Sequence, residues 1–191
     1  MNLREYQEIA VGNLKKKANE LLEIGAAKTI VFKAPTGSGK TVMMAKFLKE
    51  LVENRDDDKA FSFIWAAPRQ LHTQSKEKLE NYYFDSKALR CSSFEDLNDK
   101  RISENEILFL NWESINKENN IYIRENENDY NLSNIIKNTV DEGRIIVLII
   151  DESHFASTTE ISQGLIQMIQ PKLTIEVSAT PHISGDDEVA V

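Results

Sequence analysis

The sequence predicts an α/β fold in which a mostly parallel central sheet is flanked by helices. Three observations predict it. Short runs rich in Ile, Val and Phe alternate with longer stretches of helical periodicity; one run, Ile145-Ile146-Val147-Leu148-Ile149-Ile150, has no polar alternation; and no Pro-rich or Gly-rich linker divides the chain. A strand that is apolar on both faces belongs in the middle of a sheet covered by helices on both sides. The alternation of strand and helix supplies those covers.

The predicted strands run Thr29 to Lys33, Phe61 to Ala66, Ala88 to Cys91, Ile107 to Leu110, Ile145 to Ile150 and Leu173 to Val177. Helical spacing of apolar residues marks Tyr6 to Ile24, with Gly25 placed to stop it, then Lys40 to Glu53 and Leu71 to Tyr83, with weaker helices at Leu132 to Val140 and Ile161 to Ile169. Asn116 to Asn131, crowded with Asn and Glu, interrupts the pattern and reads as a surface excursion, with a small hairpin around Ile121-Tyr122-Ile123.

A chain of 191 residues fits one domain and buries a substantial core. Hydrophobic residues at 41% and charged residues at 28% are ordinary globular usage, which excludes a disordered or fibrous chain. The net charge of -8 disfavours a dedicated nucleic-acid-binding module but leaves a local basic face open. Much of the acid sits in Arg55-Asp56-Asp57-Asp58 and Gly185-Asp186-Asp187-Glu188, both read as solvated segments. The single cysteine, Cys91, forms no internal disulfide and reads as a buried or inert thiol. No apolar run approaches the ~20 residues that span a bilayer, and Met1 to Glu5 lacks a signal-peptide core, so no membrane partner and a cytoplasmic location are expected.

Between the first predicted strand and the second helix lies Ala34-Pro35-Thr36-Gly37-Ser38-Gly39-Lys40-Thr41. Glycines in such a loop let backbone N–H groups point at phosphate oxygens, and the helix that follows presents the positive end of its dipole. Thr36, Gly37, Ser38, Gly39, Lys40 and Thr41 are therefore the candidate phosphate-binding residues. Lys40 would reach the terminal phosphates and the Thr41 hydroxyl would ligate Mg2+. The competing reading is a Gly-rich turn that caps an ordinary helix.

Asp151-Glu152-Ser153-His154 follows the buried strand directly, which puts two acids where open parallel sheets bind ligands. Asp151 suits a magnesium ion or its water shell. Glu152 suits the polarising of an attacking water. A solvated turn in which Asp151 opens the next helix is the alternative. His154 fits a surface position, a cap or a coupling residue, and His72 and His182 share no ligand spacing with it, which argues against a zinc site.

Taken in order, Leu3-Arg4-Glu5-Tyr6-Gln7, Ala34 to Thr41, Ala67-Pro68-Arg69-Gln70-Leu71, Asp151-Glu152-Ser153-His154 and Ser178-Ala179-Thr180 resemble the first RecA-like domain of superfamily 2 helicases and translocases, P-loop NTPases. The resemblance spans nearly the whole chain, and Ala34 in the first position of the loop is familiar in such motors. Asn111-Trp112-Glu113-Ser114-Ile115 and the Asn-rich excursion look most like the ATPase (Res) subunit of type III restriction enzymes. The resemblance implies that ATP with Mg2+ binds, that Lys40, Asp151 and Glu152 are catalytic, and that Gln7 contacts the adenine edge. It implies nucleic-acid or coupling roles for Arg69, Gln70, His154, Ser178 and Thr180.

The motor of that family needs a second RecA-like domain that closes on the nucleotide, and nothing after Ser184 could build one. These residues are therefore expected to be the N-terminal piece of a larger ATP hydrolase, weakly active alone. No Glu-x-Lys triplet occurs, so an endonuclease is expected to lie elsewhere. DNA is the expected partner, with RNA or repair substrates as the alternative and a methyltransferase subunit as a candidate companion. A reading of another class, a nucleotide-responsive binding module that does not translocate, also stays open.

Overall fold

In a computed structural model of the chain, residues 2–53, 59–111, 131–152, 159–181 and 185–191 are described. In order they form α1 (Glu5–Glu23), β1 (Lys28–Lys33), α2 (Lys40–Glu53), β2 (Phe61–Ala67), α3 (Leu71–Tyr83), β3 (Arg90–Ser92), a 3-10 turn (Phe94–Asp96), β4 (Glu106–Asn111), α4 (Leu132–Asp141), β5 (Ile145–Asp151), α5 (Thr159–Ile169), β6 (Leu173–Ser178) and β7 (Asp187–Ala190). The chain thus folds as α/β with a RecA-like arrangement. The seven strands among the described residues lie in the order β3-β4-β2-β5-β6-β1-β7. Every described pairing is parallel, so the sheet is parallel throughout, where the sequence predicts mostly parallel.

Strand alternation divides the core in two. Val147 and Ile149 of β5 pack with Phe63 and Trp65 of β2 beneath α1, α2 and α3. Ile146, Leu148 and Ile150 face the other way, with Ile64 and Ala66, against Leu132, Ile135 and Ile136 of α4 and Ile169 of α5. This two-sided burial is why β5 has no polar position before Asp151. Helix α1 earns its place through a buried stripe, Gln7, Ala10, Val11, Leu14, Ala18 and Leu22, at helical spacing.

The structure refines one expectation and corrects another. Gly185 to Glu188 is solvent-facing as expected, with Asp186 exposed, but it is more than a loose segment: Asp187–Ala190 is the edge strand β7, parallel to β1. The Asp186 carboxylate accepts the Thr29 N–H at 2.8 Å and pairs with Lys28, and Asp187 pairs with Lys17. The Thr29 N–H holds the Asp186 pKa below its ordinary value, and the Lys17 ammonium does the same for Asp187. Only four residues long and with alternating burial, β7 carries too little apolar pattern to be read from sequence. Second, α1 ends without help from Gly25: Ile24 turns extended and its N–H bonds to Leu21 O at 3.1 Å.

Helix α4 is capped by Asn131, whose side chain accepts the Asn134 N–H at 2.8 Å. The rest of the Asn-rich excursion, including the expected hairpin, lies outside the described residues, as do Arg55 to Asp58 and His154. Among the described residues no helix is long and apolar enough to cross a membrane. Cys91 is half-buried, and burial, with Glu80 adding to it, pushes its thiol up to about 12.

Candidate nucleotide-binding site

Because all strands run the same way, the carboxyl ends of β1, β2, β5 and β6 lie along one edge of the sheet. Register then decides which residues meet there. Lys33 pairs with Ser178 and Asp151 with Val177, so the loop after β1, the acids ending β5 and the hydroxyls after β6 stand side by side. The Ala34 N–H donates to Ser178 O at 3.0 Å and the Glu152 N–H to Val177 O at 2.9 Å, which continues the ladder one step into each loop.

The loop turns on two glycines. Gly37 and Gly39 have φ of 81° and 89°, the left-handed region that side chains avoid. A Cβ on Gly39 would also meet Gln7 Nε2 at 2.5 Å, whereas Gly37 faces open space. Ala34 lies outside the left-handed region and its methyl is fully buried in the core, so glycine is not needed there. The Ser38 N–H bonds back to Pro35 O at 3.1 Å, and Met43 N–H to Gly39 O at 3.0 Å starts α2, whose first turn points its remaining N–H groups at the loop. Thr36 is exposed, and Thr41 is half-buried in the first turn of α2.

Lys40 is only 8% exposed, and its Nζ lies 3.2 Å from Glu152 Oε1. Glu152 stands at φ 54°, an uncommon backbone for a glutamate and a form of strain that clusters at functional sites. Beside it Asp151 is 6% exposed. Burial, and then the neighbouring Glu152 charge, raise the Asp151 carboxyl from 3.8 to about 7, against the pull of Lys40, Trp65 and Ser75. The Ser75 hydroxyl donates to Asp151 Oδ2 at 3.4 Å.

Gln7 reaches the loop from α1. Its Oε1 accepts the Arg4 N–H at 2.9 Å and its Nε2 donates to Ser38 O at 2.8 Å, so the carboxamide is oriented with one lone pair and one N–H left. The Tyr6 hydroxyl donates to the same Ser38 O at 3.1 Å.

The fold therefore brings together Gln7, Gly37, Ser38, Gly39, Lys40, Asp151, Glu152 and, through the Ala34 backbone, Ser178. Arg69 and Gln70 stand on the same edge but are exposed, with Arg69 at φ 54° and Leu71 N–H bonded to Pro68 O at 3.0 Å. Ser178 is buried and its Oγ accepts the Thr180 N–H at 3.1 Å, a local turn that leaves Thr180 exposed. Two neighbours of the site, Trp65 and Ser75, belong to no motif, and Tyr6 lies in the Gln7 segment without having been assigned a role. Ser75 alone left a trace, a polar residue where the stripe Ser75, Leu79, Tyr83 of α3 calls for an apolar one.

The donor set fits a phosphate chain with Mg2+. Ser38 Oγ is buried and has no hydrogen-bond partner, an orphan that a phosphate oxygen would satisfy. Among the described residues no three His, Cys, Asp or Glu side chains cluster to hold a metal by themselves.

A glycine loop ahead of a helix, with a buried lysine facing two acids at the end of a central parallel strand, defines an ATP-binding domain of the helicase type. A model of the family described as type III restriction enzyme, res subunit, matches residues 1–183, and the chain belongs to that family. The fold is similar to that of the UvsW helicase from bacteriophage T4, with a TM-score of 0.56 at 13% identity over 100% of this chain and 61% of that one. It is also similar to a nuclease-deletion mutant of the type ISP restriction-modification enzyme LlaGI, in complex with a DNA substrate mimic, with a TM-score of 0.57 at 19% identity over 96% of this chain and 18% of that one. At these identities the likeness is one of fold. The chain spans less than two thirds of either structure. Among curated proteins none matches.

Proposed function

We propose that this chain is the ATP-binding half of an ATP-driven DNA translocase or helicase, the motor of a type III restriction subunit. The observation that carries the reading is the Lys40–Glu152 pair at 3.2 Å, set beside buried Asp151 and beneath the two-glycine loop. Backbone N–H groups of Gly37 to Thr41 would hold the phosphates, with the Lys40 ammonium on the terminal ones. Phosphate oxygens carry more charge than one carboxylate, so a bound triphosphate competes for Lys40 and releases Glu152. Glu152 would then orient a water and accept its proton as the water oxygen attacks the terminal phosphorus and the bond to the diphosphate breaks. Asp151 and Thr41 would hold Mg2+, which when bound neutralises charge on the phosphate oxygens. The oriented Gln7 carboxamide presents one acceptor and one donor, the pattern that matches adenine N6 and N7.

Arg69 and Gln70, exposed beside the site, are suited to grip a nucleic-acid backbone, and Ser178 and Thr180 to link that grip to the nucleotide. His154 is proposed as a coupling residue from its place in the motif. A second RecA-like domain of the full-length protein would supply the arginines that complete the transition state. A reducing cytoplasm, a methyltransferase companion and a nuclease elsewhere in the protein belong to the same reading.

The test is ATP hydrolysis by the full-length protein with duplex DNA, single strands or RNA added. Stimulation by duplex DNA is expected, with residues 1–191 alone turning over slowly. Stimulation by RNA only would move the substrate class, and no stimulation by any nucleic acid would leave a nucleotide-responsive binding module.

A further inference from the structure

Asp151 has one side-chain donor that belongs to no motif, Ser75, and a buried indole, Trp65, lies near it. Ser75 is buried at the head of the α3 stripe that continues through Leu79 and Tyr83, and its hydroxyl donates to Asp151 Oδ2 at 3.4 Å. An alanine or leucine would pack that stripe without a polar group to satisfy, so the hydroxyl needs a reason, and the carboxylate is its partner. Trp65 is the second neighbour. On the inward face of β2 it follows Phe61 and Phe63, and it alone of the three carries an N–H.

Register puts Trp65 opposite Ile149, one inward-facing position before Asp151, the diagonal distance that an aromatic ring bridges. Its indole nitrogen is buried and has no partner within ordinary hydrogen-bond limits, yet it lies near enough to Asp151 to favour the ionised carboxylate. Ser75 reaches Asp151 from α3, and Trp65 stands beside it on the adjacent strand.

We propose that Ser75 and Trp65 are positioning residues that orient the Asp151 carboxylate for the divalent cation accompanying the nucleotide. Groups behind a metal ligand fix its rotamer and hold its charge in place, and their loss commonly costs ten- to a hundredfold in metal affinity or activity. The 3.4 Å contact places Ser75 at the low end, about tenfold. Ser75 also ties the metal carboxylate to α3, the helix that begins directly after Arg69 and Gln70. The inference rests on the reading of Asp151 as the metal carboxylate.

The experiment measures binding, not turnover. A fluorescent ATP analogue is titrated into the protein with Mg2+ and with EDTA, and the affinity ratio is compared among wild type, Ser75→Ala, Ser75→Thr and Trp65→Phe. Mn2+ binding in the presence of ADP is followed in parallel by electron paramagnetic resonance. Ser75→Ala and Trp65→Phe are expected to lower the cation-dependent ratio and the Mn2+ affinity about tenfold while binding in EDTA stays unchanged. Ser75→Thr, which keeps the hydroxyl, should retain both, and it carries the comparison with Trp65→Phe if the alanine variant does not fold. A wild-type gain from the cation that both Ser75→Ala and Trp65→Phe retain would overturn the inference alone. Nucleotide binding by wild type with no gain from the cation would overturn the reading of Asp151 beneath it.

Discussion

Replacing Asp151 by Asn tests the electrostatics of the site through the stability of the fold. The carboxyl rises from 3.8 to about 7 on folding, chiefly because burial disfavours its charge and because Glu152 is adjacent. Between those values the folded protein holds a proton that the unfolded chain has released. The stabilising contribution is therefore complete below 3.8 and is lost as pH rises through about 7. At about 1.4 kcal/mol for each tenfold change in proton affinity, the full loss is at most about 4 kcal/mol. Asparagine has the same shape and no such titration.

The assay is urea denaturation of both proteins at several pH values from 4 to 8, with divalent cations and nucleotide absent. The variant should match wild type near pH 4, gain on it steadily through neutrality and be more stable by up to about 4 kcal/mol at pH 8. Asp96, Asp186 and Asp187 have lowered pKa values and act in the opposite sense in acid, but equally in both proteins, so they cancel in the difference. A stability difference that stays flat from pH 4 to 8 would refute the reasoning.

Lys40→Ala is expected to abolish measurable triphosphate binding by calorimetry while leaving the far-ultraviolet circular dichroism of the fold intact. Gly39→Ala meets both a left-handed backbone and the Gln7 amide, so it should destabilise the domain by about 1 to 3 kcal/mol in urea denaturation and weaken nucleotide binding with it. The thiol of Cys91, raised from 9.0 to about 12, should react with an alkylating reagent at pH 8 about a thousandfold more slowly in the native protein than in urea; equal rates would contradict its burial.

Much of this protein is legible one residue at a time. The two-sided apolar run of β5 announced a central parallel strand, and the glycines and lysine of the loop pointed to the proposed phosphate site, because period and turn chemistry are local properties. Strand β7 escaped because it is only four residues long and is held by acids, Asp187 at its start and Asp186 just before it, whose partners Lys17 and Lys28 are more than 150 residues away in the chain. What only tertiary structure decided is how the local pieces share one edge of the sheet. Parallel register set Ala34 against Ser178 and Asp151 against Val177, and packing brought Lys40 to Glu152 and Ser75 to Asp151. Those pairings join separate strands and helices, and the burial that raises Asp151 to about 7 exists only once α2 and α3 cover the sheet. Sequence determined which groups could do the chemistry; packing determined which of them stand close enough to act on one another.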